Sequence, residues 1–304
     1  MKSLFFTVIL LALTLNSFAE DDRKRNISQY YELINKAELS IIDNNLKEAS
    51  ACYGQAFQYK FANYKDLENA FSVAYQLGDS VLARTYAGIL FAEGISVKYS
   101  WIATDSANHP QLFNYVVQDE DSIIDRNVFK YKQQPNILFD SLDKMDQYVR
   151  THTVSKDSAI KTDDTVAEIV LDYIRMNGYP VLDINNPRAT MYRVVYNCFI
   201  LIWHMRDRDS FPALDSLLSQ ELLKGNLQPD EWMLFMLNRK GYHEKFGNAI
   251  WRLDWPGLTP QQTALINENR RKLNLENIQD YKKKYDYEQQ LQKKYGCTQY
   301  GHVY

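Results

Sequence analysis

Two stretches decide the fold: Asn35–Phe57, "NKAELSIIDNNLKEASACYGQAF", and Glu68–Leu90, "ENAFSVAYQLGDSVLARTYAGIL". Ala37 pairs with Phe71, Asn44 with Gly78, Ala49 with Ala83 and Tyr53 with Ala87, and each pair is 34 residues apart. The matched positions ask for the same local physics. Ala49 and Ala83 are small residues that let a second helix approach the first closely. Asn44 and Gly78 fall between the apolar stripes, and these residue types adopt a left-handed backbone at least cost. The spacing predicts two helical hairpins, each a helix, a tight turn and a returning helix.

This period and the placement of its small residues resemble the tetratricopeptide repeats. The resemblance covers residues 27–95 and is degenerate, since Phe61 and Ile95 stand where a repeat is often closed by proline. It implies hairpins that offer a groove to a peptide or partner protein. Two repeats are fewer than a solenoid ordinarily needs, so their open end is expected to pack on the chain that follows.

The rest of the composition agrees with a mainly α protein. Of 304 residues, 45% are apolar and 24% charged, which are ordinary globular values. Gly and Pro number only 11 and 8, too few for a turn-rich all-β fold. A net charge of -3 gives no electrostatic reason to expect nucleic acid or a membrane surface as partner. The expected architecture is N-terminal hairpins packed on a C-terminal helical domain with a small extended segment.

Residues 1–19, within "MKSLFFTVILLALTLNSFAE", predict a cleaved signal peptide: Lys2, an apolar core from Leu4 to Leu15, and a small-x-small site at Ser17-Phe18-Ala19. The apolar core is too short to span a bilayer comfortably. No cysteine near the cleavage point could be acylated. The expectation is an exported protein, periplasmic or extracellular, with no integral span after cleavage. Cys52, Cys198 and Cys297 are too few for a disulfide framework. Cys52 and Cys198 lie on apolar helical patterns and are expected to be buried, whereas Cys297 sits in a polar tail.

Residues 96–134 read as a linker with one short helix near Pro110–Gln118, and the acidic run "QDEDSIIDR" reads as a solvated face. From residue 135 the periodicity predicts further helices. One carries Ile137, Leu138, Leu142 and Met145 on its apolar face. A second is capped by Asp163 or Asp164 and stopped at Gly178. An apolar helix opened by Pro187 runs to about Arg206, and another starts at Asp209 or Ser210 and stops at Gly225. After the helix "QPDEWMLFMLNRK", residues 243–257 lack a helical period and read as extended. The segment after them reads as a polar helix, broken near Asn274. Residues 286–304 form a basic, aromatic tail.

The order of motifs between 135 and 285 resembles an uncharacterised family of bacterial domains found in secreted proteins and lipoproteins. It comprises Asp146-Gln147-x-x-Arg150, Gly178-Tyr179-Pro180, His204 with Asp207 and Asp209, Gly225-x-x-x-Pro229, Asn238-Arg239, Phe246-Gly247 and an Arg-rich "NRRKLNL". The chain departs from the family pattern at Asn238, where an Asp is common. It departs again at Phe246-Gly247-Asn248-Ala249, where Tyr-Gly-Thr-Gln is common. No activity is implied by the resemblance.

His204 is the first candidate site residue. It ends an almost wholly apolar helix, where the dipole favours a protonated imidazole, and Asp207 at i+3 shares its face. Two readings stand: a general acid-base pair of His204 and Asp207, or a helix-end histidine held by an ion pair. Asp146, Gln147 and Arg150 form a polar cluster to which Asn238 and Arg239 could add. That cluster is either a ligand pocket or a structural network. No metal-ligand spacing, phosphate-binding loop, dinucleotide fingerprint or nucleophile signature occurs, so no cofactor and no metal are expected. Two functions follow. A binding or scaffold role through the hairpins leads, and it fails if the hairpin face is packed shut. An enzyme centred on His204 is the alternative.

Overall fold

The computed structural model describes residues 25–97, 110–127, 134–181, 192–205, 211–236, 245–246 and 258–295. The leader, the 296–304 tail, Asp207, Asn238 and Arg239 lie outside them. No β-strand occurs among the described residues, and the fold is mainly α.

Helix α1 (25–42) and α2 (Leu46–Ala56) make the first hairpin, and α3 (Tyr64–Gln76) and α4 (Ser80–Ala92) the second. The 34-residue spacing reappears in the turns, atom for atom. Asn44 and Gly78 both have left-handed φ, 57° and 72°. The Asn45 amide donates to the Ser40 carbonyl at 2.8 Å, and the Asp79 amide donates to the Ala74 carbonyl at 3.0 Å. These are matching Schellman closures. Each returning helix then starts on a side-chain cap, Asn45 accepting from the Glu48 amide and Asp79 from the Leu82 amide. Ala37, Ala49, Ala83 and Ala87 are fully buried where the helices touch, within a core that also holds Tyr30, Tyr53, Phe71 and Phe91.

The region expected to be a linker contains two helices, α5 (Pro110–Val117) and α6 (Glu120–Asn127), and both pack on α4. Arg84 of α4 donates to the Tyr115 carbonyl at 2.6 Å and pairs with Asp119. The acidic run is therefore not wholly solvated. Glu120 is buried and accepts from the Ser96 hydroxyl, while its neighbours face water.

A second core is built by α7 (Gln134–Thr151), α8 (Lys156–Asn177), α9 (Tyr192–Met205), α10 (Phe211–Leu223) and α11 (Pro229–Met236). Two expectations are corrected here. Ile137 and Met145 are exposed, and the buried stripe of α7 is Phe139, Leu142 and Asp146. Helix α8 starts seven residues before Asp163, on a Ser155 cap that accepts from the Ser158 amide. Asp163 is buried in mid-helix because it faces Arg150, so it interrupts the apolar period without ending the helix.

Of the segment expected to be extended, 243–257, only Lys245 and Phe246 are described, and both are helical. The polar C-terminal region forms α12 (Pro260–Arg271) and α13 (Ile278–Tyr295), separated at Asn274 with φ 57°. Cys52 and Cys198 are buried free thiols. No described helix is long and apolar enough to cross a membrane.

The two cores meet. Tyr64, the first residue of α3, packs in the C-terminal core, and Ile95 packs against both cores. Lys65 of α3 pairs with Asp230 of α11, and Tyr31 of α1 reaches Gln228 at 3.5 Å. Helix α13 runs back along α1. Asp280 accepts from Asn35 at 2.8 Å, Lys283 meets Asp43 at 2.7 Å, and Lys284 meets Glu38 at 2.5 Å.

Candidate functional site

Asp146 is the centre of the polar cluster expected on α7. It lies one helical turn before Arg150, and α9 brings the end of its apolar run over both. His204 Nδ1 lies 2.7 Å from Asp146 Oδ2. Arg150 donates from Nε to Asp146 Oδ2 at 3.0 Å and from Nη2 to Oδ1 at 2.5 Å. Its Nη2 also reaches Asp163 Oδ1 on α8 at 3.3 Å. Gln147 Nε2 adds a contact at 3.2 Å. Three of the expected residues thus converge on one carboxylate that is only 2% exposed.

The arrangement fixes the imidazole tautomer. With the Nδ1 proton donated to Asp146, the 3.1 Å approach of Arg150 Nε to the same nitrogen is a contact and not a second hydrogen bond. Nε2 is then the ring nitrogen that Asp146 does not engage. Burial alone would raise the Asp146 carboxyl, but hydrogen bonds from His204 and Arg150 outweigh it and hold the group below the usual carboxylate range. The carboxylate found on His204 is Asp146, one of the groups expected around it. Asp207, Asn238 and Arg239 lie outside the described residues. Among the described residues, no hydroxyl or thiol contacts His204 Nε2, and no group of three His, Cys, Asp or Glu could hold a metal ion.

A second site was not anticipated. Helices α1 and α3 of the hairpins face α11 and α13 across a cavity of about 310 Å³. One wall is the α1 stripe Tyr31, Ile34, Asn35 and Glu38. The opposite wall is the α13 stripe Tyr281, Lys284, Tyr285 and Glu288. Both stripes follow the i, i+3/i+4, i+7 spacing of one helix face. Met233 and Leu234 of α11 and Asp66 of α3 close the sides.

The ionisable groups here sit in an unusual balance. Glu38 is buried and pushed up to about 7 by desolvation, which the facing Lys284 opposes only in part. Asp66 is pushed up to about 6 by burial, although it accepts a hydrogen bond from the Tyr30 hydroxyl. Lys65 stays charged: burial disfavours its ammonium, but Asp230 and its neighbours more than offset this. Helix α13 thus lies along α1, α11 meets the first turn of α3, and the cavity lies between them.

Sequence reasoning missed this site because its signal is split. Lys284 and Glu288 lie in a stretch whose lysines and glutamines mark it as polar. Only the 281, 284, 285, 288 spacing, with two tyrosines on it, hints at an inward face.

Compared with protein-family models, with curated proteins and with solved structures, the chain matches none of them.

Proposed function

We propose that this chain is a binding protein and that the cavity between the hairpins and helices α11 and α13 is its site. The cavity carries the reading. Its volume of about 310 Å³ falls at the lower end of small-molecule sites, and its walls combine apolar surface with a few convergent polar groups. The occupant is a compact molecule, because an extended peptide would need the face that α13 covers. The matched turns at Asn44 and Gly78 support a tetratricopeptide-like reading of the hairpins. The signal-like residues 1–19 support export to a periplasm or the cell exterior. The motif order from 135 to 285 supports the resemblance to the uncharacterised secreted family.

Ligand-observed NMR with a set of fragments of 8–12 heavy atoms, a size chosen from the low end of small-molecule sites, tests the reading. The intact chain is expected to bind at least one fragment, and Ile34→Trp and Leu234→Trp, which fill the cavity, to lose that binding while keeping the helical circular dichroism. Equal binding by both variants would place the ligand elsewhere.

A second reading rests on the Asp146–His204 pair. A carboxylate on Nδ1 and a part-exposed imidazole are what a general base requires. In that reading His204→Ala abolishes a hydrolytic or proton-transfer activity. Binding is preferred because the cavity offers an enclosed volume with several polar groups on its walls.

A further inference from the structure

The cavity wall carries more negative groups than its own cations answer. Five carboxylates line it, Glu38, Asp66, Asp230, Glu276 and Glu288, against two lysines, Lys65 and Lys284. Pairing uses up three of the five. Lys284 holds Glu38, Lys65 holds Asp230, and Arg270 meets Glu276 at 3.4 Å. Asp66 keeps one hydrogen bond, from the neutral Tyr30 hydroxyl. Glu288 has no ionic or hydrogen-bonded partner among the described residues, and desolvation pushes its carboxyl up.

A third acceptor joins them. Asn35 gives its amide N–H to Asp280 at 2.8 Å, which fixes the orientation of the amide. Its Oδ1 is then left buried, with no partner among the described residues, on the same cavity wall. Buried acceptors of this kind are ordinarily satisfied. Three tyrosines, Tyr31, Tyr281 and Tyr285, supply ring faces beside them. Two carboxylates with no ion pair of their own among the described residues, one acceptor without a donor there and an aromatic wall all ask for a single ligand chemistry: a positive N–H donor on an apolar body. A metal ion fits less well, because no three ligating groups converge among the described residues.

Resting on the cavity as binding site, we infer that its ligand is a small organic amine, a protonated primary ammonium on a compact aryl or alkyl body. Asp66, Glu288 and Asn35 Oδ1 are the acceptors that the cavity wall offers the ammonium, and Tyr31, Tyr281 and Met233 are the surface it offers the body. Binding is then linked to protons. Asp66 faces Tyr30 from α1, Lys60 and Lys65 from its own segment, and Asp230 from α11. Glu38 faces Lys284 and Glu276 from the α13 side and Asp66 from α3. With these carboxyls at about 6 and about 7, an arriving cation favours their ionised forms, so affinity rises with pH between 5 and 7.5. The amine itself stays charged throughout, as lysine does.

The test is calorimetric titration of the full chain with 2-phenylethylamine, its neutral isostere 2-phenylethanol, the anion 3-phenylpropionate, and Nα-acetyl-lysine amide as a peptide-borne ammonium. The amine is expected to bind at least tenfold more tightly than the alcohol, with the anion showing no heat and the lysine derivative binding more weakly than the amine. Glu288→Gln is expected to weaken the amine several-fold and leave the alcohol unchanged. Because Glu288 has no partner among the described residues, this variant keeps its fold where Asp66→Asn could lose it. Affinity is expected to fall as the pH drops from 7.5 to 5. An alcohol that binds as well as the amine would overturn the inference and leave the cavity as a binding site. Tighter binding of the lysine derivative would replace the free amine with a peptide side chain. Failure of all four probes, together with fragment binding unaffected by Ile34→Trp, would overturn both readings.

Discussion

Lys284 of α13 and Glu38 of α1, 246 residues apart in the chain, form a buried ion pair at 2.5 Å that fastens the last helix to the first hairpin. A lysine and a glutamate are rarely buried unless paired. Removing one partner leaves the other charge in a dry site. Lys284→Met is expected to cost about 3–5 kcal/mol in urea denaturation. Adding Glu38→Leu is expected to recover most of that loss, because it removes the stranded carboxyl. A double variant as unstable as the single one would show that packing of the lysine stem, and not its charge, holds α13.

The buried carboxyls set the direction of the pH dependence. Glu38, Glu68 and Glu231 are raised to about 7 and Asp66 to about 6, in each case chiefly by desolvation. A raised folded pKa contributes stability that is fully present below the unfolded value, near 4, and is lost as pH rises through 6–7. Asp146 and Glu221 act in the opposite sense. Each would be raised by burial but is held low by its hydrogen bonds, so their contribution disappears only as the pH falls below about 4. Differential scanning calorimetry at constant ionic strength should give a higher Tm at pH 5 than at pH 8, with a fall below pH 4. A Tm that climbs steadily from pH 5 to 8 would contradict the assignment.

Two glycines separate backbone cost from packing cost. Gly78 has φ 72° and open space where a Cβ would go, so Gly78→Ala is expected to cost about 1–2 kcal/mol, the left-handed penalty alone. Gly225 has φ 73°, and its Cβ would sit 3.2 Å from Ile27 Cγ1 and 3.2 Å from Lys60 Cε, where the C-terminal core touches α1. Gly225→Ala is expected to cost more, by about 1 kcal/mol or above. Thermal denaturation of the two variants side by side checks the order.

At the His204 cluster the carboxylate matters more than the imidazole. Asp146 is buried and receives Arg150 and His204, whereas the His204 side chain is 25% exposed. Asp146→Ala is expected to cost about 3 kcal/mol and His204→Ala about 1 kcal/mol or less. If the two losses were equal, the imidazole would be a structural keystone.

The hairpins were legible because their geometry is local. Asn44 and Gly78 announce left-handed turns, and the alanines at 49 and 83 announce close helix contact, all within one period. The convergence of Asp146, Arg150 and His204 was legible in part. An i, i+4 pair and a helix-end histidine are visible locally, but the carboxylate that orients His204 comes from 58 positions away. Asp163 was misread as a cap because its partner Arg150 lies on another helix, and a buried charge looks like a helix end when its pair is unseen. The polar C-terminal helix and its break near Asn274 were legible, but the inward face of α13 was not. A boundary at 285 falls inside it, since a lysine-rich run reads as solvent-facing until Glu38 is placed opposite Lys284.

Hydrogen–deuterium exchange of the intact chain with and without saturating 2-phenylethylamine bears most directly on where the ligand sits. The account predicts added protection in residues 31–38, 228–234 and 281–288, which line the cavity, and no change in 146–150 or 198–204. Protection that instead appears around Asp146 and His204, with the cavity helices unchanged, would contradict it and move the site to the His204 cluster.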